Sequence, residues 1–163
     1  MATVEAVRPA RAHDVDEIMR VVRECVDALR DQRGGDLVLA QRQTLVAQLQ
    51  SPTACKTLLT ESDRLMLVGT LDGVVVGGAI GHVHALGTQR LGCLDGYYVE
   101  PGARGVGLGT LLVQTAVAWF ASQGCLGVDS PALPGNRAAK SLFEGSGFKA
   151  RELTMFLPLA RGQ

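Results

Sequence analysis

Apolar and polar positions first alternate with a period of two. Residues 3–10 read TVEAVRPA, with Val4, Ala6 and Arg8 set against Thr3, Glu5 and Val7, which predicts a short strand ended by Pro9. His13 and Asp14 then offer a helix start. Val15, Ile18, Met19, Val22, Val26 and Leu29 recur at helical spacing until Gly34 and Gly35 stop them. A second helical pattern runs from Leu37 to Leu49 and ends at SPT. From Lys56 the period shortens again. KTLLT, RLMLVGTL and VVVGGAIGHVHAL are apolar, β-branched runs that predict strands, the last two joined at Asp72-Gly73, a strong two-residue hairpin signal.

RLGCLDGYYVEP predicts a further strand, closed by Pro101. A long helix is expected from about Gly107 to Ser122, with Leu108, Leu111, Leu112, Thr115 and Trp119 as its buried stripe and Gly124 as its end. CLGVDS reads as a short strand, NRAAKSLFEGSG as a short helix that Asn136 is placed to cap, and FKARELTMFLPL as one or two closing strands. The order predicts one α/β domain over 1–163, of the α+β type, with helices flanking a mixed, mostly antiparallel central sheet. It is not the regular alternation of a doubly wound dinucleotide fold. No repeat or linker interrupts it.

Composition narrows the partners. The 163 residues carry 16 Lys plus Arg against 16 Asp plus Glu, a formal net charge of zero, which argues against a general nucleic-acid binder. Cys25, Cys55, Cys93 and Cys125 are scattered, with no C-x-x-C pair to suggest a metal site. The first residues, MATVEAVRPARAHDVDE, lack an apolar signal region, and no run approaches the roughly 18–20 apolar residues of a membrane span. The expected setting is a reducing cytoplasm with free thiols.

The densest chemical signal is PGARGVGLGTLL at 101–112, where glycines crowd the start of an apolar helix although each costs roughly 1 kcal/mol inside one. The first helical turn has amides without intrahelical partners and the positive end of the dipole. Glycines there would let a phosphate reach the bare backbone. No Gly-Lys pair occurs for a mononucleotide P-loop, and the dinucleotide spacing fails at Thr110 and Leu112. What fits is Arg-x-x-Gly-x-Gly, as Arg104, Gly107 and Gly109, directly after the strand YYVEP. This resembles the acetyl-coenzyme A loop of the GNAT superfamily of N-acetyltransferases. GNRAAKSLFEGSGF is similar to that family's second cofactor motif, with Asn136, Ala139, Phe143, Gly147 and Phe148 in place.

The resemblance implies a sheet splayed at the cofactor site and acetyl-coenzyme A as cosubstrate, without a metal. Main-chain groups of Tyr97, Tyr98 and Val99 would hold the acetyl and pantetheine parts. The amides of Gly105, Val106, Gly107, Leu108, Gly109 and Thr110 would hold the pyrophosphate, with Arg104 at its rim. Asn136 would meet the pantetheine arm as well as cap its helix. Phe143 stands where the family commonly has a tyrosine that protonates the departing thiolate, so the thiolate would leave with modest help, with water as donor, or with Tyr97 or Tyr98 as substitute. For the base, Asp95 is placed with Tyr97 and Val99 on one strand face by alternation, with Asp129 and Glu144 as alternatives and Glu100 expected in solvent. His82 and His84 share a strand face; the pair invites a metal reading, but no third ligand is visible nearby, so a polar face or one lining the acceptor cleft is expected, and His84 could shuttle a proton.

The implied activity is direct transfer of an acetyl group to a primary amine of a small molecule or peptide. A coenzyme A-binding sensor with little catalysis is the alternative, suggested by Phe143 and the unsettled base. Asp27, Asp31 and Asp36 in the first helices could attract an amine or be a solvated face. Two subunits could pair through their last strands.

Overall fold

The structure is a computed structural model that describes residues 2–160; Met1 and residues 161–163, the ends of the expected 1–163 domain, lie outside them. Strand β1 (Glu5–Pro9) leads through a 3-10 turn into helix α1 (Val15–Arg30). Helices α2 (Gly35–Gln41), α3 (Gln43–Leu49) and α4 (Pro52–Leu58) follow. Strands β2 (Arg64–Leu71), β3 (Val74–Leu86) and β4 (Gln89–Val99) precede helix α5 (Leu108–Ser122), strand β5 (Val128–Asp129) and helix α6 (Arg137–Gly145).

The five strands lie in sequence order in one sheet, antiparallel from β1 to β4 and parallel between β4 and β5. Strand alternation feeds two cores. Leu65 and Leu67 of β2 face α5 and α6, and Met66 and Val68 face α1, α3 and α4. The Asp72-Gly73 hairpin forms as expected, with φ of 48° and 82° at its two central positions, the left-handed pair a primed turn demands. Among the described residues no helix is long and apolar enough to cross a membrane.

Four expectations change. The pattern over Leu37–Leu49 breaks at Arg42 into α2 and α3. KTLLT is the end of a helix, not a strand. Ser51 caps α4 by accepting from the Ala54 amide (3.4 Å), Pro52 takes the first helical position, and Cys55 and Leu58 turn into the core. The buried stripe of α5 is Leu108, Leu112, Val113, Ala116 and Phe120 rather than one containing Leu111, Thr115 and Trp119. Its orientation is set from below, by glycines of the sheet. A Cβ on Gly69 would lie 3.2 Å from Leu108, and one on Gly92 2.5 Å from the Phe120 ring, so these bare positions are the seats of the helix. Finally, FKARELTMFLPL forms no strand. Residues 149–160 carry no regular structure, and Leu153, Met155, Phe156, Leu157 and Leu159 are exposed. Alternation makes a strand only beside a partner ladder, and β5 offers two residues.

Candidate active site

The turn between β4 and α5 is built by Gly105 and Gly107, at φ of 83° and 94°, conformations an L side chain resists. Neither has an atom within 4 Å of where a Cβ would stand. Gly107 caps α5, and its carbonyl receives the first helical bond from the Leu111 amide (3.0 Å). Among the described residues, none of the amides from Gly105 to Thr110 donates to a protein acceptor. This is a row of free donors at a helix start, the arrangement that suits an anion. Gly109 has a different duty: a Cβ there would lie 3.1 Å from Leu142 of α6, so its bareness lets the two helices approach. Arg104 donates from Nε to the Val99 carbonyl (2.8 Å) and stands 5.7 Å over the Tyr98 ring.

The sheet opens beside this turn. The β4–β5 ladder consists of Gly92↔Val128 and Cys93↔Asp129, extended by Ser130 Oγ donating to the Leu94 carbonyl (3.2 Å). Beyond that point, among the described residues, the β4 edge from Asp95 to Val99 has no strand partner on the β5 side, which is the splay the resemblance implies. Helix α6 closes the far side. Asn136 Oδ1 accepts from the Ala139 amide (3.0 Å), the expected cap. Phe143 is buried, edge-on to Tyr97 (5.5 Å between centroids) and tilted against Phe148 (5.1 Å).

Asp95 is not where alternation placed it. The β3–β4 register jumps between Ile80↔Gly96 and Gly81↔Leu94, so Asp95 is an extra, bulged residue. The bulge changes phase: Leu94, Tyr97 and Val99 pack toward α5, whereas Asp95 and Tyr98 face the first helices. Asp95 thus shares no face with Tyr97 and Val99. Its buried carboxylate receives or shares a hydrogen bond with His82 Nδ1 (Oδ2, 2.7 Å) and accepts from the Cys93 thiol (3.6 Å). Arg42 and Arg64 each approach it to 3.8 Å, through nitrogens that are buried without a hydrogen-bond partner. Arg64 also bonds Glu61 (3.0 Å). His82, Cys93 and Asp95 bring three potential metal donors within 4.8 Å of one another, but the two guanidiniums already supply the cationic charge there. Burial, with Asp95 nearby, pushes the Cys93 thiol up to about 11. His84 is exposed, its ring 5.4 Å from that of His82.

The other carboxylates are engaged elsewhere. Asp129 pairs with Arg151, and Glu144 with Lys140 (3.7 Å) on the outer face of α6. Glu100, expected in solvent, is held by Arg20 of α1, which also donates to the Val75 carbonyl (2.8 Å) and ties the helix to the end of β4. Asp27, Asp31 and Asp36 all lie on exposed outer faces.

Between α1, α2, α3 and the sheet runs a cleft of about 120 Å³. Val22, Cys25 and Leu29 line it from α1, Leu45 from α3, and Gly96 and Tyr98 from β4. Asp95 and Arg42 sit at one corner, and there the cleft meets a polar recess of about 270 Å³ lined by Thr44, Gln48, Arg64 and His82. Sequence reasoning missed Arg42, Arg64 and the His82–Asp95 contact. Only the strand pairing brings these positions together.

Comparison with known proteins bears on what such a site is for. A model of the Acetyltransferase (GNAT) family matches residues 21–148. An aminoglycoside N(6')-acetyltransferase type 1 from Acinetobacter genomosp. 13 is 30% identical over 118 residues, 72% of this chain and 76% of that one. Among solved structures, a point mutant of the BH1408 protein from Bacillus halodurans superposes with a TM-score of 0.73 at 17% identity, covering 95% of this chain and 99% of that one. The aminoglycoside N-acetyltransferase AAC(6')-Iy in complex with CoA gives 0.69 at 16% identity, covering 98% and 97%. With the glycine turn, the opened strand edge and the capped α6 in place, the chain belongs to the GNAT family of acetyltransferases.

Proposed function

We propose that the protein is an N-acetyltransferase that moves an acetyl group from acetyl-coenzyme A directly to a primary amine of a small molecule or peptide. The observation that carries this reading is the row of free amides from Gly105 to Thr110 beside the unpaired edge of β4. Those amides would hold the pyrophosphate, with Arg104 at the rim. Backbone groups of Tyr97, Tyr98 and Val99 would orient the pantetheine and acetyl parts, with Asn136 and Phe143 on the α6 side. Acetyl-coenzyme A, when bound, supplies a thioester carbonyl open to attack by an amine. The relatives named for aminoglycoside acetylation favour a small-molecule acceptor. Four free thiols suit a cytoplasmic setting.

The chain's own residues divide the proton traffic. Among the described residues Asp95 is the one carboxylate lining the cleft, and it is bonded to His82, which opens on the polar recess. This pair takes the proton released by the amine. Tyr97 carries the hydroxyl beside Phe143, and burial raises its pKa, so it keeps a proton to give to the leaving thiolate. Tyr98, the other candidate, sits on the cleft side beneath Arg104.

Calorimetric titration with acetyl-coenzyme A, coenzyme A and ATP, followed by thiol release over an amine panel, tests the reading. Binding of both coenzyme A forms but not ATP, with amine-dependent thiol release, is expected. Binding without release on any amine would leave a coenzyme A-binding module, and no binding would overturn the proposal.

A further inference from the structure

Away from the corner at Asp95 and Arg42, the acceptor cleft has apolar walls. Val22, Cys25 and Leu29 of α1, Leu45 of α3 and Ile80 of β3 present hydrocarbon or a buried thiol. Burial pushes the Cys25 thiol up to about 11, so this wall stays neutral. The ionisable side chains that reach the cleft besides this thiol and the two tyrosines are Arg42 and Asp95, and Asp95 is already faced by His82, Arg42 and Arg64. The acidic residues of the covering helices, Asp27, Asp31 and Asp36, point outward to solvent.

We infer that this cleft takes an apolar monoamine, a compact aryl or branched alkyl group carrying one primary amine, and not a polycationic acceptor. This rests on the transferase reading and specifies its substrate. The physical reason is desolvation. An acceptor with several ammonium groups would bring each of them against hydrocarbon and a buried guanidinium, with no free carboxylate to receive it. An apolar group displaces only weakly held water from such walls. The size agrees: an apolar cavity of the order of 150 Å³ holds a benzene ring, and this one is about 120 Å³. Gly96 and Tyr98, which line the cleft, belong to the same stretch of β4 beyond the β5 ladder that the cofactor reading uses, so an amine seated there would meet the transferable group. Two of the similar proteins are named for aminoglycoside acetylation, whereas among the described residues this cleft offers a polycation no unpaired carboxylate.

The test is a calorimetric titration of the full chain with 2-phenylethylamine, isopentylamine, kanamycin and spermidine, with and without saturating coenzyme A. The two apolar monoamines are expected to bind, and kanamycin and spermidine to bind at least roughly tenfold more weakly. Val22→Trp and Leu45→Trp, which fill the cleft from different helices, are each expected to weaken monoamine binding by roughly tenfold or more while coenzyme A binding stays unchanged. Preference for kanamycin or spermidine, or monoamine affinity unaffected by both filling variants, would overturn the inference. Coenzyme A is read in the same titrations. Loss of the monoamine with coenzyme A still bound defeats the acceptor assignment alone, and monoamine binding without any coenzyme A binding defeats the transferase reading alone.

Discussion

His82 Nδ1 lies 2.7 Å from Asp95 Oδ2, a contact between neighbouring strands that exists because Asp95 is the extra residue of a bulge. The pair acts as one unit: the carboxylate fixes the ring, and the ring leads from the cleft to the polar recess. Asp95→Asn and His82→Gln should each lower kcat by about 10²–10³-fold, the range of a lost general base. KM for the amine and coenzyme A affinity should change little. The double variant should be no worse than the poorer single one, as expected for residues that work together. Additive losses in steady-state kinetics would show two independent roles.

Tyr97 and Tyr98 are adjacent in sequence and opposite in space. Tyr97→Phe removes the hydroxyl beside Phe143 and should reduce kcat by about 10–10²-fold, whereas Tyr98→Phe should cost less than Tyr97→Phe. Adding Phe143→Tyr to Tyr97→Phe returns a hydroxyl to the same aromatic cluster and should recover part of the loss. Rate measurements on the three variants decide it.

Away from the site, Arg8 holds the buried Asp14 carboxylate with two bonds of 2.7 and 2.8 Å, and the Arg11 amide adds a third of 2.8 Å. These, Arg8 first, depress the Asp14 pKa below its ordinary 3.8. The unfolded chain therefore takes up this proton before the native one does. The stabilisation is complete above about pH 4 and fades as the pH falls through the depressed native value. Asp14→Asn should cost about 2–3 kcal/mol at neutral pH, and the gap to the parent should narrow in acid. Urea midpoints at about pH 7 and pH 3 would show it.

Gly92 and Gly107 are needed for different reasons, and their alanine variants should fail differently. Gly92→Ala drives a Cβ into the Phe120 ring at 2.5 Å and should lower stability by about 3 kcal/mol, relieved in part by Phe120→Leu. Gly107→Ala meets no neighbour but must hold a φ of 94°, at a cost of about 1–2 kcal/mol. Only the second should also weaken coenzyme A binding. Thermal unfolding and calorimetry on both variants separate the two effects.

What could be read from the chain beforehand was local. The Asp72-Gly73 turn, the Asn136 cap and the glycine turn before α5 each depend on a few adjacent residues, and all three formed as expected. Where the reading failed, a partner decided. KTLLT is short enough to suit either period, and the Ser51-Pro52 start signal just before it settled the matter for a helix. The α5 stripe turned because Gly69 and Gly92 made seats in the sheet, and the last apolar run found no neighbour to pair with. The cluster around Asp95 draws Arg42 from the α2–α3 junction, Arg64 from β2 and His82 from β3, and no spacing in the sequence announces it.

The bulge has a consequence for tolerance to insertion and deletion. A strand has parity, and every residue after an inserted one inherits the opposite sign. With Asp95 present as the odd residue, one strand presents a charge to the first helices and Tyr97 and Val99 to α5. Removing a single residue between Leu94 and Tyr97 would instead close the bulge: these two would stand two apart, share the α5 face by plain alternation and keep their partners Gly81 and Ala79. A one-residue gap here would therefore spare the faces of Tyr97 and Val99 and fall on the Asp95–Gly96 step alone, whereas the same gap elsewhere in β4 would turn every residue beyond it to the opposite face.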